Sequence, residues 1–154
     1  MSNGLKRRPE HPIHQACAVP YRWRGGELEF CLVTTSRKRR WGFPKGIVDP
    51  GETPRKTALK EAWEEAGLRG RVEGRALGQY IYRKWGSRLV VAAYLMRVVD
   101  EADDWEEARL RKRRWFPANR ARSKLARKGQ ADLFRVAMER LRISRPVRSP
   151  PTPQ

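Results

Sequence analysis

Glu61, Glu64 and Glu65 lie within five residues of one another in a chain of 154 residues that carries a formal net charge of +18. An α-helix turns by about 100° per residue, so these three carboxylates fall on one side of a helix, within roughly 100°. Carboxylates at such spacings repel each other by roughly 0.2–0.5 kcal/mol. Either Lys56 and Lys60 compensate this repulsion as surface ion pairs, or the carboxylates hold a hard divalent cation, which favours oxygen ligands.

A longer pattern surrounds this acidic cluster. Gly46 is followed by five residues and Glu52, and seven more residues lead to Lys60 and Glu61. The pattern ends in a Glu-Glu pair, one further residue, Gly67 and an aliphatic residue. The spacing resembles the signature of the Nudix hydrolases. Lys60 departs from it, because the family normally has arginine at that position.

The resemblance implies metal-dependent hydrolysis of a diphosphate linkage, with Mg²⁺ expected and Mn²⁺ as an alternative. The metal ligands that it implies all offer oxygen: Glu61, Glu65, Glu64 and the backbone carbonyl of Gly46 or Lys45. Glu64 is also the expected catalytic base that activates water. Glu52 and Lys60 have supporting roles. We expect Lys60 to orient a carboxylate less rigidly than arginine would, because lysine offers a single flexible charge.

Basic segments outside this pattern are similar to the diphosphoinositol polyphosphate phosphohydrolases and to their relatives that hydrolyse diadenosine polyphosphates. The sequences WGFPKG and RKRRWFP carry this similarity. It implies that polar and basic side chains contact the substrate phosphates. The residues at the matching positions are Ser36, Arg37, Lys45, Arg83, Lys84, Arg113 and Lys128. His14 stands where the subgroup has arginine, and Lys38 and Arg39 are either further contacts or part of a solvated turn.

Local patterns predict the elements that position these residues. Thr53 offers an N-cap before Pro54, and Gly67 offers a C-terminal stop, so a helix is predicted over residues 54–66. Alternating apolar residues in IHQACAVPYRW and LEFCLVTTS, joined by the turn signal RGGE, predict a β-hairpin.

Further strands are predicted in RVEGRALGQYIYRKW, SRLVVAAYLMRVVD and KRRWFPA, the second of them in the sheet centre. Apolar residues at helical spacing in SKLARKGQADLFRVAMERLR predict a C-terminal helix. With the resemblance, this order implies the Nudix α/β/α sandwich, an α/β fold with a mixed β-sheet between helices, over residues 13–143. Residues 1–12 and the Pro-rich residues 144–154 have almost nothing to bury and are predicted to be disordered.

The surplus of 35 Lys and Arg over 17 Asp and Glu indicates a polyanionic partner. A polyphosphorylated small molecule fits the resemblance. An RNA-binding basic module, or Nudix cleavage of RNA 5′ ends, remains as an alternative, although the sequence contains no recognised nucleic-acid-binding motif.

Two cysteines, Cys17 and Cys31, lack the spacing of a metal or redox site and are predicted to be reduced core residues. No apolar run is long enough to span a bilayer, and no hydrophobic segment follows the basic N-terminus. These features predict a cytoplasmic protein without membrane insertion, and they leave its oligomeric state open.

Overall fold

A computed structural model of the chain describes residues 11–143. The tails that were predicted to be disordered lie outside this range, except for His11 and Pro12, which precede the first strand. The described strands are β1 (Ile13–Arg24), β2 (Glu27–Thr34), β3 (Trp41–Gly42), β4 (Lys45–Ile47), β5 (Leu68–Val72), β6 (Gly78–Lys84), β7 (Ser87–Glu101) and β8 (Arg113–Pro117). The helices are α1 (Pro54–Ala66), α2 (Ala118–Lys124) and α3 (Lys128–Ile143). No helix in this range is both long and apolar enough to cross a membrane.

Two long strands, β1 and β7, run parallel along the middle of the sheet, from the pair Ile13 and Leu89 to the pair Tyr21 and Arg97. The other pairings among the described strands are antiparallel, so the sheet is mixed as predicted. β5 and β6 pair with successive parts of the second edge of β7, and β8 pairs with β2. β7 therefore lies inside the sheet, as its apolar sequence predicts.

The predicted hairpin of β1 and β2 is paired only near its turn. Tyr21 to Arg24 of β1 pair with β2, whereas Gln15 to Cys17 pair with β4 instead. β3 pairs with the last two residues of β2. The two hairpin strands therefore diverge, and the short strands β3 and β4 fill the gap between them.

Alternation along β1 sends successive side chains to opposite faces of the sheet. Ala16 and Ala18 belong to a core cluster with α1, while Cys17 and Val19 belong to a cluster with α2 and α3. The residues of α1 in this core are small: Ala58, Ala62 and Ala66. Small side chains let α1 pack closely on the strands. The predicted α/β/α sandwich is confirmed, and both cysteines are free and buried.

Two predicted elements are divided in the structure. The predicted strand RVEGRALGQYIYRKW contributes to two strands, β5 and β6, because the pairing with β7 is interrupted between Glu73 and Leu77, whose own backbone N–H groups still donate to the carbonyls of Leu95 and Ala93. The predicted C-terminal helix is interrupted at residues 125–127: its first two residues, Ser123 and Lys124, end α2, most of which was not predicted, and the rest of it forms α3. Its apolar positions still enter the core, as Leu133, Phe134, Ala137 and Leu141 do.

Helix α1 begins and ends at the predicted residues. The hydroxyl of Thr53 accepts a hydrogen bond from the backbone N–H of Lys56 at 3.2 Å. Gly67 has a left-handed backbone with φ of +64°, and its N–H donates to the carbonyl of Trp63 at 2.9 Å. Both ends are therefore fixed by local sequence.

Replacing Gly67 by Ala should lower the free energy of unfolding by about 2–4 kcal/mol. Alanine at this position would have to adopt a left-handed backbone, and its Cβ would lie 2.9 Å from the Cβ of Trp105. Gly25→Ala is a matched control, because φ there is +57° and an added Cβ has no atom within 4 Å. The control should cost only about 1 kcal/mol. Urea unfolding measures both changes, and equal losses would contradict the role of Trp105.

Candidate active site

The acidic face of α1 lies against β4. Glu65 is only 5% exposed, and Glu61 and Glu64 are partly buried. Gly46 permits this approach, because a Cβ at its position would overlap the carboxyl group of Glu61. The backbone of β4 therefore runs directly beside a carboxylate that the sequence assigns to the metal.

Burial and mutual repulsion change the pKa of these carboxyl groups. Burial raises the pKa of Glu65 to about 8, and Glu61 and Glu107 add to this rise while Arg111 opposes it. Burial likewise raises the pKa of Glu61 to about 7, with neighbouring carboxylates adding to the effect. The pKa of Glu64 is also raised, chiefly by burial. A cation held among the carboxylates would offset this destabilisation of their charged forms.

The acidic connection between β7 and β8 folds over the end of α1. The backbone N–H of Glu107 donates to the carbonyl of Glu64 at 3.1 Å. One helical turn after Glu107, the guanidinium of Arg111 lies 3.2 Å from the Glu107 carboxylate and 3.5 Å from that of Glu65. Arg111 is thus a direct basic partner of the most deeply buried carboxylate in the acidic face.

The donor chemistry of this face fits a hard divalent cation. Carboxylate oxygens are the ligands that Mg²⁺ prefers, and the absent side chain of Gly46 leaves the room that Glu61 uses. Among residues 11–143, however, no three His, Cys, Asp or Glu side chains form a ready metal-binding group. Glu65 pairs with Arg111, so a cation that binds Glu65 must compete with that arginine.

Lys60 forms ion pairs with two carboxylates that precede α1. Its ammonium lies 3.5 Å from the carboxylate of Asp49 and 3.8 Å from that of Glu52. The pKa of Lys60 is raised, mainly by Glu52. Glu52 also accepts a hydrogen bond from the hydroxyl of Thr57 at 3.2 Å. Lys60 therefore contacts two carboxylates that precede α1, and the supporting roles of Glu52 and Lys60 at the metal stay predictions.

A cavity of about 730 Å³ adjoins Glu65. It is lined by the end of β2, the loop that follows, β3 and β4, the β6–β7 turn and the residues around the start of α3. Eight basic residues line it: Arg37, Lys38, Arg40, Lys45, Arg83, Lys84, Arg111 and Arg127. Glu65 is the single acidic residue among the described residues that line it. The cavity therefore presents a strongly positive wall beside the acidic face of α1.

Five of the seven residues expected to contact substrate line this cavity, namely Ser36, Arg37, Lys45, Arg83 and Lys84. Lys38 and Arg39 were predicted to be either further substrate contacts or part of a solvated turn. Lys38 lines the cavity, and Arg39 is not among its lining residues. Lys128 is exposed at the first position of α3, next to the lining residue Arg127.

The structure does not bring Arg113 to the cavity wall. Arg113 pairs with Val33 across β8 and β2, on the face that packs against α1. Its guanidinium donates to the carbonyls of Ala66 at 2.8 Å and Ala102 at 2.7 Å and lies 4.1 Å from the ring centre of Trp105. Arg113 therefore satisfies a carbonyl at the C-terminus of α1, which is a structural use of its charge.

Sequence reasoning missed Arg111, Arg127, Tyr82 and Gln130 as cavity residues. For Arg111, one signal is present in the sequence: Glu107 lies four residues earlier, at the spacing of a helical ion pair. No comparable local signal marks Tyr82 or Gln130, because strand alignment and the position of α3 bring them to the cavity.

Comparison with known proteins supports the pattern around α1. The family model for the NUDIX domain matches residues 13–137. The chain belongs to the Nudix family. Nudix hydrolase 4 of Arabidopsis thaliana is 32% identical over 114 residues, which cover 68% of this chain and 55% of that relative. Diphosphoinositol polyphosphate phosphohydrolase 2 of Rattus norvegicus is 38% identical over 93 residues, which cover 58% of this chain and 50% of that relative.

The matched region thus spans about half the length of these two Nudix relatives. Among solved structures, a binary complex of the C. elegans Ap4A hydrolase superposes with a TM-score of 0.75 at 25% identity, covering 84% of this chain and 98% of that one. A NUDIX hydrolase from Nitrosomonas europaea superposes with a TM-score of 0.71 at 18% identity, covering 84% of this chain and 90% of that one, and supports the fold alone. Nudix enzymes generally use divalent metal ions.

In the metal-free protein, Glu65→Gln should increase the free energy of unfolding at high pH. The folded protein holds the Glu65 pKa at about 8, above an ordinary value of 4.5. Between these pH values the carboxyl group is protonated in the folded state and ionised in the unfolded state, so stability falls as pH rises. The substitution removes this loss and should add about 1–3 kcal/mol near pH 8.5 and almost nothing near pH 4.

Urea unfolding in EDTA at both pH values measures this effect. Mg²⁺ should then stabilise the wild type more than the variant, because the variant lacks a charged oxygen ligand. An equal change in stability at both pH values would contradict the assignment of a raised pKa to Glu65.

Proposed function

We propose that this protein hydrolyses a diphosphate linkage in a highly phosphorylated small molecule, either a diphosphoinositol polyphosphate or a diadenosine polyphosphate, with Mg²⁺ or Mn²⁺ as cofactor. The basic cavity wall that meets the acidic face of α1 at Glu65 carries this proposal. A volume of about 730 Å³ suits a small molecule. The names of the rat phosphohydrolase and the C. elegans Ap4A hydrolase support these two substrate classes.

Each part of the site has a separate task in this proposal. Basic residues of the cavity wall bind the phosphate groups and hold the linkage in place. Glu61 and Glu65 hold the divalent cation, which when bound neutralises phosphate charge and lowers the pKa of water. Glu64 accepts the proton of the attacking water, and burial raises the pKa of its carboxyl group, which makes it a stronger base. The water oxygen bonds to phosphorus as the bridging P–O bond breaks towards the leaving phosphate.

We also assign the activity to the cytoplasm. Cys17 and Cys31 are free and buried, which fits a reducing compartment. Burial raises the pKa of both thiols to about 12, so they stay protonated and unreactive.

Hydrolysis at RNA 5′ ends is the second candidate, and one observation favours it. Arg120, Arg122 and Lys124 of α2 and Lys128 of α3 are exposed, and they lie close in sequence to Arg127 of the cavity wall. Such a surface suits a phosphate backbone that continues beyond the cavity. Simple RNA binding without hydrolysis is less favoured, because the acidic face of α1 would repel RNA in the absence of a metal.

A phosphate-release assay tests the first candidate against the second. With Mg²⁺, we expect turnover of an inositol pyrophosphate or a diadenosine polyphosphate, and loss of turnover in EDTA. Glu64→Gln should lower kcat by about 100-fold or more with the thermal midpoint unchanged, because the variant cannot accept the proton. Turnover of 5′-triphosphate RNA alone would favour the RNA candidate, and RNA binding that survives both EDTA and Glu64→Gln would favour a binding module.

Lys84→Met should raise KM for the preferred substrate by about tenfold while changing kcat little, because it removes a cation from the cavity wall. Arg24→Met is a matched control, since it removes an exposed cation at the end of β1, outside the cavity and away from the basic surface of α2. The steady-state kinetics of both variants measure the difference. If the control raises KM as much as Lys84→Met does, binding depends on overall charge and the cavity assignment is wrong.

A further inference from the structure

Tyr82 joins three side chains of the cavity region through its hydroxyl and its ring. The hydroxyl accepts a hydrogen bond from the ammonium of Lys45 at 2.9 Å and donates one to the carboxamide oxygen of Gln15 at 2.8 Å. The guanidinium carbon of Arg127 lies 4.4 Å from the centre of the ring. Two cavity cations from distant parts of the chain thus contact one aromatic residue.

The ring of Tyr82 is itself held by the fold. Tyr80 and Tyr82 lie on the same face of β6, and their rings stack with centres 6.1 Å apart. The hydroxyl of Tyr80 accepts a hydrogen bond from the side chain of Gln130 at 3.1 Å, and Gln130 in turn accepts one from the backbone N–H of Phe43 at 3.1 Å. A buried hydrogen-bond network therefore holds Tyr82 in place through the stacked ring of Tyr80, and the same network connects α3 to the β3–β4 segment.

Gln15 gives the hydroxyl of Tyr82 a fixed acceptor. Gln15 is 5% exposed and lies on β1 where that strand pairs with β4 and β7. Its carboxamide oxygen also lies 3.5 Å from the ammonium of Lys45. A buried amide requires hydrogen-bond partners, so Gln15 keeps both groups in place. Lys45 would otherwise move freely on its four-carbon chain.

We propose that Tyr82 is a positioning residue that holds Lys45 and Arg127 as a paired cationic contact for phosphate groups of the substrate. This inference rests on the proposed function and narrows its substrate class. Contact with tyrosine stabilises both cations and leaves their positive charge intact, whereas a carboxylate partner would neutralise it. Because Arg127 lies over the ring, this part of the wall receives phosphate oxygens and not a nucleobase. The pair therefore favours a polyphosphorylated inositol over a nucleoside at this position.

A double-mutant cycle on binding tests the tether to Lys45. Inositol hexakisphosphate is titrated by calorimetry into the full chain in EDTA. Tyr82→Phe keeps the ring and removes the hydroxyl, and we expect it to raise Kd about 3–10-fold. Lys45→Met should raise Kd by a similar or larger factor. The double variant should bind no more weakly than Lys45→Met alone, whereas the effects of Tyr82→Phe and Lys84→Met should multiply.

A second double-mutant cycle tests the contact between the ring of Tyr82 and Arg127. Tyr82→Leu should bind more weakly than Tyr82→Phe, and this additional loss should disappear in an Arg127→Met background. Tyr94→Phe is the matched control, because Tyr94 packs with the α1 cluster on the other face of the sheet, and its Kd should equal that of the wild type.

Multiplying effects of Tyr82→Phe and Lys45→Met would overturn the proposal, and so would an unchanged Kd in Tyr82→Phe. A larger loss of ATP binding than of inositol hexakisphosphate binding in Tyr82→Leu would show that the ring stacks on a base, which also overturns it. These binding measurements need no turnover. A failed phosphate-release assay with intact coupling would therefore reject the proposed reaction and keep the cationic pair.

Discussion

Two carboxyl groups, those of Glu61 and Glu65, are buried one helical turn apart on α1, and the arrangement around them follows from that constraint. The pKa of each is raised chiefly by burial, so their charged forms are held at a free-energy cost in the absence of a cation. The alanine face of α1 and the absent side chain of Gly46 bring the helix against the strands despite this cost. Arg111 relieves part of it at Glu65.

The divergence of β1 and β2 turns this acidic face into one side of a binding cavity. If the two strands paired along their full length, β3 and β4 could not lie between them, and Lys45 and Gly46 would lose their places. The loop before β3 supplies further cations to the cavity lining. A polyanion entering this space meets eight basic residues and one carboxyl group, that of Glu65, so a metal is needed only where phosphate approaches α1.

Local sequence predicts the acidic helix well and the cavity wall less well. The cap residues and the glutamate spacing of α1 are short-range features, and the structure reproduces them. Arg111 and Arg113, by contrast, belong to one run of basic residues, and residue type alone does not show which of them reaches the cavity. Strand alignment decides between them: Arg113 is opposite Val33 on the face of α1, and Arg111 lies before the strand and reaches Glu65. Tyr82 depends in the same way on residues more than 35 positions distant in sequence.

The large positive charge is distributed according to what each cation contacts. Arg111 is paired with Glu65 and Glu107, so much of its charge is neutralised within the protein. Arg69 lies 4.0 Å from the ring centre of Trp63, and Arg127 lies 4.4 Å from that of Tyr82. An aromatic face stabilises a cation while leaving its charge able to attract an anion. Since a carboxylate partner would have to be displaced before phosphate could bind, the cations on aromatic rings are the better prepared for substrate, and inside the cavity Lys45, Lys84 and Arg127 meet this condition.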